Sequence, residues 1–373
     1  MDTYRVRRLG EQVRGLAQDR LDWVGFATAV DEALRPVVGF ERSCWHSIDP
    51  GTVLFTGSLN RNVGCSGSWL AEHEFVIDDV NKWSFLAHSG RLAGALSLAT
   101  HGDLSRSARH RSHVGYGIGD ELRAAFVVDG SYWGAVGLLR DQDRPWFTED
   151  DVRVLAGLSE VIARGARRSI VNVVVEDLVP TTEGPGVVVF DTDGQPESIT
   201  PAAEHWISCM REFPPPPTPA QSRQVQAVAA RARAGAAGGD PLQLAARSRV
   251  QTTSGSWLLL YGSAMCGGPA GRVAVIIQPA QASEVAPLVA LAYGLSDREC
   301  AVTHLCIEGR STKEMADRLR LSAYTVQDHL KSIFDKTGVR SRGELVGQVF
   351  LQHYLPRWDD LTNPPAGWHG YAQ

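Results

Sequence analysis

The sequence of 373 residues predicts an α+β multidomain protein, with two α/β regions followed by an all-α unit of four helices. Two observations predict this class. Up to about residue 280, short apolar runs of strand composition alternate with Asp-Gly and Pro-Gly turn signals and with amphipathic segments. From Leu295 to Leu355 the pattern changes to short helical periods, opened by Ser or Thr and closed by Gly or a polar turn.

The composition, 43% hydrophobic and 21% charged, is that of a globular chain long enough for two or three cores. No run approaches the roughly 18 apolar residues of a membrane span. The opening MDTYRVRRLGEQVRGL has no apolar signal region, so a cytoplasmic protein without membrane contact is expected. The six cysteines, Cys44, Cys65, Cys209, Cys266, Cys300 and Cys306, show no CxxC spacing. That argues against a disulfide framework, a zinc site or a redox pair, and neither a metal site nor a cofactor is predicted. The net charge of −5 is unevenly spread, with +2 on residues 290–357 and −7 on the remainder. Three of the four lysines, Lys313, Lys331 and Lys336, lie in that C-terminal segment, which points to phosphate contact.

The first region, residues 1–170, opens near Leu21 with the helix LDWVGFATAVDEALRPV and continues in strands RSCWHSID and TVLFTGSL, joined at Asp49-Pro50-Gly51. ELRAAFVVDGSYWGAVGLLRD reads as a hairpin around Asp129-Gly130. TEDDVRVLAGLSEVIARGARRS reads as one long helix opened by Thr148 and acidic residues. In the second region, residues 180–283, GVVVFDTDGQPESITPAAEHWI gives strand, turn, strand and helix, and SWLLLYGSAM and RVAVIIQPA give two more strands. Between them PPPPTP and RARAGAAGGD read as loop and mobile linker. The helical region, residues 290–357, is followed by a tail, residues 358–373.

In the helical region, Ser296 with Glu299 makes a capping box for a helix that ends at Gly309. Ser311 or Thr312 starts a second helix, Ser322 caps a third, and Gly338 stops it before a fourth, SRGELVGQVFLQHYL. Val326, Leu330, Ile333 and Phe334 fall at i, i+4, i+7 and i+8 of the third, an apolar stripe that leaves Tyr324, Gln327, Asp328 and Lys331 on another face. Two helices at this spacing fit a helix-turn-helix. GLSDRE and EGRSTKEMADRLRLSAYTVQDHLKSIFDKTGVRSR resemble the LuxR-type helix-turn-helix family. Glu299, Gly309, Lys313, Ala316, Leu319, Ser322, Thr325, Val326, His329, Leu330, Lys336 and Arg342 coincide with it.

The resemblance implies a sequence-specific transcriptional regulator of bacterial type, not an enzyme, that binds double-stranded DNA as a homodimer. It implies that the third helix enters the major groove with Gln327, Asp328 and Lys331 forward, while Lys313, Thr325 and Arg342 serve the DNA backbone; Tyr324 and Lys336 are further DNA-binding candidates. Asp328 then selects a cytosine amine or restrains Lys331. Glu299 reads as a buried carboxylate that holds the helices together. Leu345, Val349 and Phe350 offer a stripe for a partner subunit. By its order of helix, strands, hairpin and helix the first region resembles GAF sensor domains, without the NKFDE-type cyclic-nucleotide signature. GVVVFDTDGQPESITPAAEHW resembles the opening of PAS-type sensors. Together these imply that a signal, taken as a small ligand, controls DNA binding.

Other residues carry competing readings. Trp45, Trp69, Trp83 and Trp133, with Tyr132, either line a ligand cavity or pack a core. His88, His101, His110 and His113 fit no regular ligand spacing and read as a solvated loop rather than a metal or haem site. Cys44 and Cys65 read as buried thiols rather than an oxidant sensor. The alternatives are a redox or haem sensor with the same DNA output and, with less support, a GAF-type methionine sulfoxide reductase. The latter needs a resolving cysteine couple that the spacing does not provide.

Overall fold

The computed structural model describes residues 2–64, 67–172, 184–238, 244–267 and 271–347. The chain divides into two compact units, one of Met1–Val173, Gly184–Thr253 and Leu258–Pro279, the other built mainly on the helices from Ala280 onward. Among the described residues no helix is long and apolar enough to cross a membrane.

The first unit opens with α1 (Thr3–Leu16) and α2 (Trp23–Val38). Asp22 caps α2 by accepting from Gly25 N at 2.8 Å, and Gly39, at φ +68°, ends it. Strands β1 (Arg42–Asp49) and β2 (Leu54–Arg61) are followed by α3 (Gly67–Ala71) and a π-helical turn, Glu72–Val76. Then come α4 (Trp83–Ser89), β3 (Ala93–Ala95), α5 (Leu96–Ala99), α6 (Ala108–His113), β4 (Ile118–Val128) and β5 (Ser131–Asp141). The β4–β5 turn places Asp129 at φ +50° and Gly130 at φ +72°, the pair of positive angles that a tight hairpin needs. Helices α7 (Glu149–Gly157) and α8 (Ser159–Ser169) close this part.

A second set of elements in the same unit runs β6 (Gly186–Phe190), β7 (Pro196–Ile199), α9 (Pro201–Ser208), β8 (Glu212–Phe213), α10 (Arg223–Ala236), β9 (Arg247–Gln251), β10 (Trp257–Ala264) and β11 (Val273–Pro279). The sheets are ordered β3-β4-β5-β1-β2-β8 and β7-β6-β11-β10-β9. Apart from β8, each has its second strand at one edge, then the first, fifth, fourth and third, so one strand order is used twice. β8 joins the first sheet by pairing parallel to β2, Ser58 opposite Glu212. Buried ion pairs continue this seam: Arg249 with Asp49 at 2.7 Å, and Arg223 with Glu212 on β8. One apolar cluster runs from Cys44, Phe55 and Trp83 to Val188, Trp206, Val228 and Ile277, across both sets.

Four expectations are corrected. α1 precedes the expected opening helix; its buried apolar face is only Leu9 and Val13, too thin a stripe to stand out. The long helix after β5 breaks at Leu158, although Thr148 caps its start as expected, in a capping box with Asp151. The segment read as a mobile linker is, up to Ala236, the end of α10, with Arg231, Ala232 and Ala234 buried. Alanine is the strongest helix former, and its small side chain lets α10 lie close, so that a Cβ on Gly262 of β10 would stand 2.8 Å from Val228 O. The histidine-rich loop contains α6, which carries Arg109, fully buried, onto Glu121 and Asp79. Beside it, Arg123 pairs with Glu74 at 2.9 Å and Glu121 at 2.8 Å and lies 4.1 Å from the Trp83 ring.

The second unit contains α11 (Ala282–Ala292), α12 (Asp297–Ile307), α13 (Thr312–Leu319), α14 (Ala323–Thr337) and α15 (Arg342–Val346). Its core is a separate cluster that includes Leu295, Val302, Leu305, Met315, Val326, Leu330, Ile333 and Leu345. Val349 and Phe350 of the expected partner stripe, and the tail from residue 358, lie outside the described residues.

Candidate nucleic-acid interface

Helices α12 to α15 each begin where a serine side chain accepts from an amide of the first turn. Ser296 accepts from Glu299 N while Glu299 accepts from Ser296 N at 2.6 Å, and Ser311 with Glu314 repeats the arrangement at 3.3 and 2.8 Å. Ser322 Oγ accepts from Thr325 N at 3.0 Å, and Ser341 caps α15. Between α13 and α14, Arg320 takes a left-handed conformation, φ +56°, and Leu321 N returns to Ala316 O at 2.9 Å. The turn is thereby closed by backbone bonds, which fixes the angle at which α14 leaves α13.

α14 divides its faces as its sequence predicts. Val326 and Ile333 are fully buried, Leu330 nearly so, and Phe334 packs against the cluster from its edge. Tyr324 is 74% exposed, and Gln327, Asp328 and Lys331 are exposed with it. An exposed tyrosine on a helix face otherwise made of amide, carboxylate and ammonium groups gains little by apolar burial within the unit. Among the described residues no ion pair joins Asp328 to Lys331, so nothing in this geometry supports the restraining role for Asp328.

The residues expected at the DNA backbone, with Lys336, fall into two groups. Lys313 is exposed in the first turn of α13, and Thr325 is half-buried in the first turn of α14. Arg342 donates to Thr312 Oγ1 at 2.7 Å, which brings the start of α15 beside the start of α13. Lys336 is engaged differently. Its ammonium lies 2.7 Å from Glu299, whose other oxygen accepts from Ser332 Oγ at 2.6 Å. Glu299 is 4% exposed and ties α12 to the far half of α14. Burial alone would raise its carboxyl, but the bonds from Lys336, Ser332 and Ser296 outweigh it and hold it at about 2.

The candidate ligand-site tryptophans do not converge. Trp45 and Trp83 are buried, Trp45 donating to Asp31 at 3.0 Å and Trp83 to Val136 O at 2.9 Å. Trp133 is 1% exposed. Trp69 borders a cavity of about 260 Å³ whose walls do not include the other three. Tyr132 is buried as well, and so is His46, stacked 4.3 Å from Phe55, with burial pushing its imidazole well below the ordinary range. Among the described residues no group of three or more His, Cys, Asp or Glu is placed to hold a metal ion. Cys44 is buried, and Cys65 lies outside the described residues.

Comparison with known proteins places one likeness on this second unit. The family described as "GerE: Bacterial regulatory proteins, luxR family" matches residues 294–348. The Spore germination protein GerE of Bacillus subtilis (strain 168) is 34% identical over 55 residues, 15% of this chain and 74% of that protein. The Fimbriae Z protein of Escherichia coli (strain K12) is 38% identical over 61 residues, 16% of this chain. The chain spans only 29% of the length of that relative. A solved sensor region of a sensor histidine kinase covers 68% of this chain and 92% of its own at 14% identity, with a TM-score of 0.17, and no fold assignment rests on it.

Proposed function

Because this chain belongs to the luxR family of bacterial regulatory proteins, we propose that it is a transcription regulator that binds double-stranded DNA as a homodimer. α14 enters the major groove, under the control of a small ligand sensed in the N-terminal unit. The observation that carries the reading is the division of α14 into a buried apolar stripe and an exposed face of Tyr324, Gln327, Asp328 and Lys331. In the groove, Gln327 and Lys331 reach base edges, Asp328 accepts from a cytosine amine, and Tyr324 offers its ring to a thymine methyl. Lys313, Thr325 and Arg342 hold phosphates at helix N-termini. We assign Lys336 to clasping Glu299 first and to phosphate second, since its ammonium is already engaged.

The test is a gel shift with promoter DNA from the protein's own locus, across salt concentrations and candidate ligands. Absence of salt-sensitive binding under every condition sinks the reading. Within it, Lys313→Ala is expected to weaken all DNA sequences alike and to lower the salt slope by roughly one unit.

We read residues 1–170 as GAF-like and 180–283 as PAS-like, supported by the strand order that both sheets repeat. Their controlling role predicts that a fragment of residues 285–373 differs from the full chain in DNA affinity or in ligand response. If the sensors inhibit, the fragment binds without ligand; if they drive dimerisation, it binds poorly. Identical affinity and response in both would remove the sensor role.

A further inference from the structure

We propose that the cavity bounded by α3 and the π-helical turn, α10 and the β6–β7 turn is a binding site for a free α-amino acid. The inference rests on reading this unit as the sensor and names its ligand class. The cavity lies within the first unit but between its two sets of elements, and its walls include Trp69, Glu72, His73, Asp193, Gln226 and Arg233. At about 260 Å³ it suits a small metabolite rather than a large cofactor.

The charges on the walls select what enters. Arg233 of α10 pairs with Glu72 at the start of the π-helical turn, both partly shielded, and Asp193 stands exposed on the β6–β7 turn. One guanidinium and two carboxylates complement a zwitterion: its carboxylate takes the fork of Arg233 while its ammonium sits with Glu72 and Asp193. A plain amine leaves Arg233 without a replacement partner, and a plain acid leaves the carboxylates so. An apolar guest would desolvate the ion pair and return nothing.

The wall is built to hold this arrangement. Gly194, at φ +77°, is a position where any Cβ would stand 2.1 Å from a guanidinium nitrogen of Arg233, so glycine is what lets the arginine lie under the turn. Asp191 Oδ1 braces the turn by accepting from Asp193 N at 2.9 Å and Gln195 N at 2.8 Å. Opposite, the Trp69 and His73 rings stack 4.4 Å apart, and His73 Nδ1 is 2.9 Å from Trp69 O. Burial holds the imidazole below its ordinary range, so at neutral pH the stack is an uncharged aromatic wall for the amino-acid side chain. Ala71 and Ala230 leave the space that larger residues would fill. An amino acid here would bridge the π-helical turn of the first set to the β6–β7 turn and α10 of the second, at the seam where a ligand can bias their packing.

The experiment is isothermal titration calorimetry of the full-length, DNA-free protein with the proteinogenic L-α-amino acids. Each amino acid that binds is compared with its decarboxylated amine and its deaminated acid. At least one amino acid is expected to bind saturably, with both analogues weaker by about 10- to 100-fold. Ala230→Leu should abolish the heat while leaving the circular dichroism melt intact. Should that variant fail to fold, Glu72→Gln carries the test and should weaken binding by about 10-fold. The proposal is overturned if no amino acid binds saturably, if either analogue binds as tightly as its parent, or if the folded variant binds unchanged. Gel shift reads DNA binding separately, so failure of the regulator reading and failure of this site give different results.

Discussion

Leu330→Ala is expected to lower the stability of the second unit by roughly 2 to 5 kcal/mol, whereas Gln327→Ala, three residues away, should leave its folding intact. Leu330 occupies the middle of the α14 stripe between Val326 and Ile333, and its cluster includes Met315 of α13 and Leu345 of α15. Truncation empties the middle of a core to which α12, α13, α14 and α15 all contribute, and so short a unit has little other apolar surface with which to close the gap. Gln327 points away from that core and is exposed. Its loss should instead cost about 1 to 3 kcal/mol on the preferred DNA site and relax specificity there. Binding to specific and scrambled DNA at several salt concentrations, with circular dichroism melts as the folding control, separates the two effects. If Gln327→Ala melts the unit while Leu330→Ala does not, the two faces of α14 have been assigned backwards and the proposed groove-facing surface is wrong.

What the sequence disclosed follows from the range of the interactions involved. The capping serines of α12 and α14, the glycine ends at Gly309 and Gly338 and the Asp129-Gly130 hairpin each depend on residues within a few positions, and all were legible. The apolar stripe of α14 was legible too, because a helix period exposes it whatever it packs on. Interactions between distant residues were hidden. Arg123 meets Glu74 across 49 positions and Arg249 meets Asp49 across 200, and no spacing rule links them. For the same reason RARAGAAGGD looked like linker: its small residues suit a mobile segment as well as a tightly packed helix end, and only the neighbouring strands decide. Of the candidate DNA-binding residues the exposed face was readable, but the engagement of Lys336 by Glu299 was not. A basic residue near a helix end reads as a free cation until its partner, 37 residues away, is seen.

That engagement gives the second large effect, a dependence of stability on pH. The Glu299 carboxyl is held at about 2, against an ordinary value of 4.5. A depressed carboxyl favours the folded state wherever the unfolded chain is already ionised. The contribution is therefore complete above pH 4.5 and is lost as pH falls from there through about 2. The shift corresponds to about 2 to 3 kcal/mol once solvent screening of the partly exposed Lys336 is allowed for. Glu299→Gln keeps the shape and can still accept from Ser296 N, but it removes the charge that Lys336 and the α12 amides stabilise. In urea titrations of residues 285–373, wild type should exceed Glu299→Gln by about that amount at neutral pH, and the difference should shrink steadily below pH 4.5. A difference that stays constant down to pH 2.5 would mean that Glu299 acts through packing and capping alone. Lys336 would then be free for phosphate, and Lys336→Met would lower the salt slope of DNA binding by roughly one unit, as Lys313→Ala does.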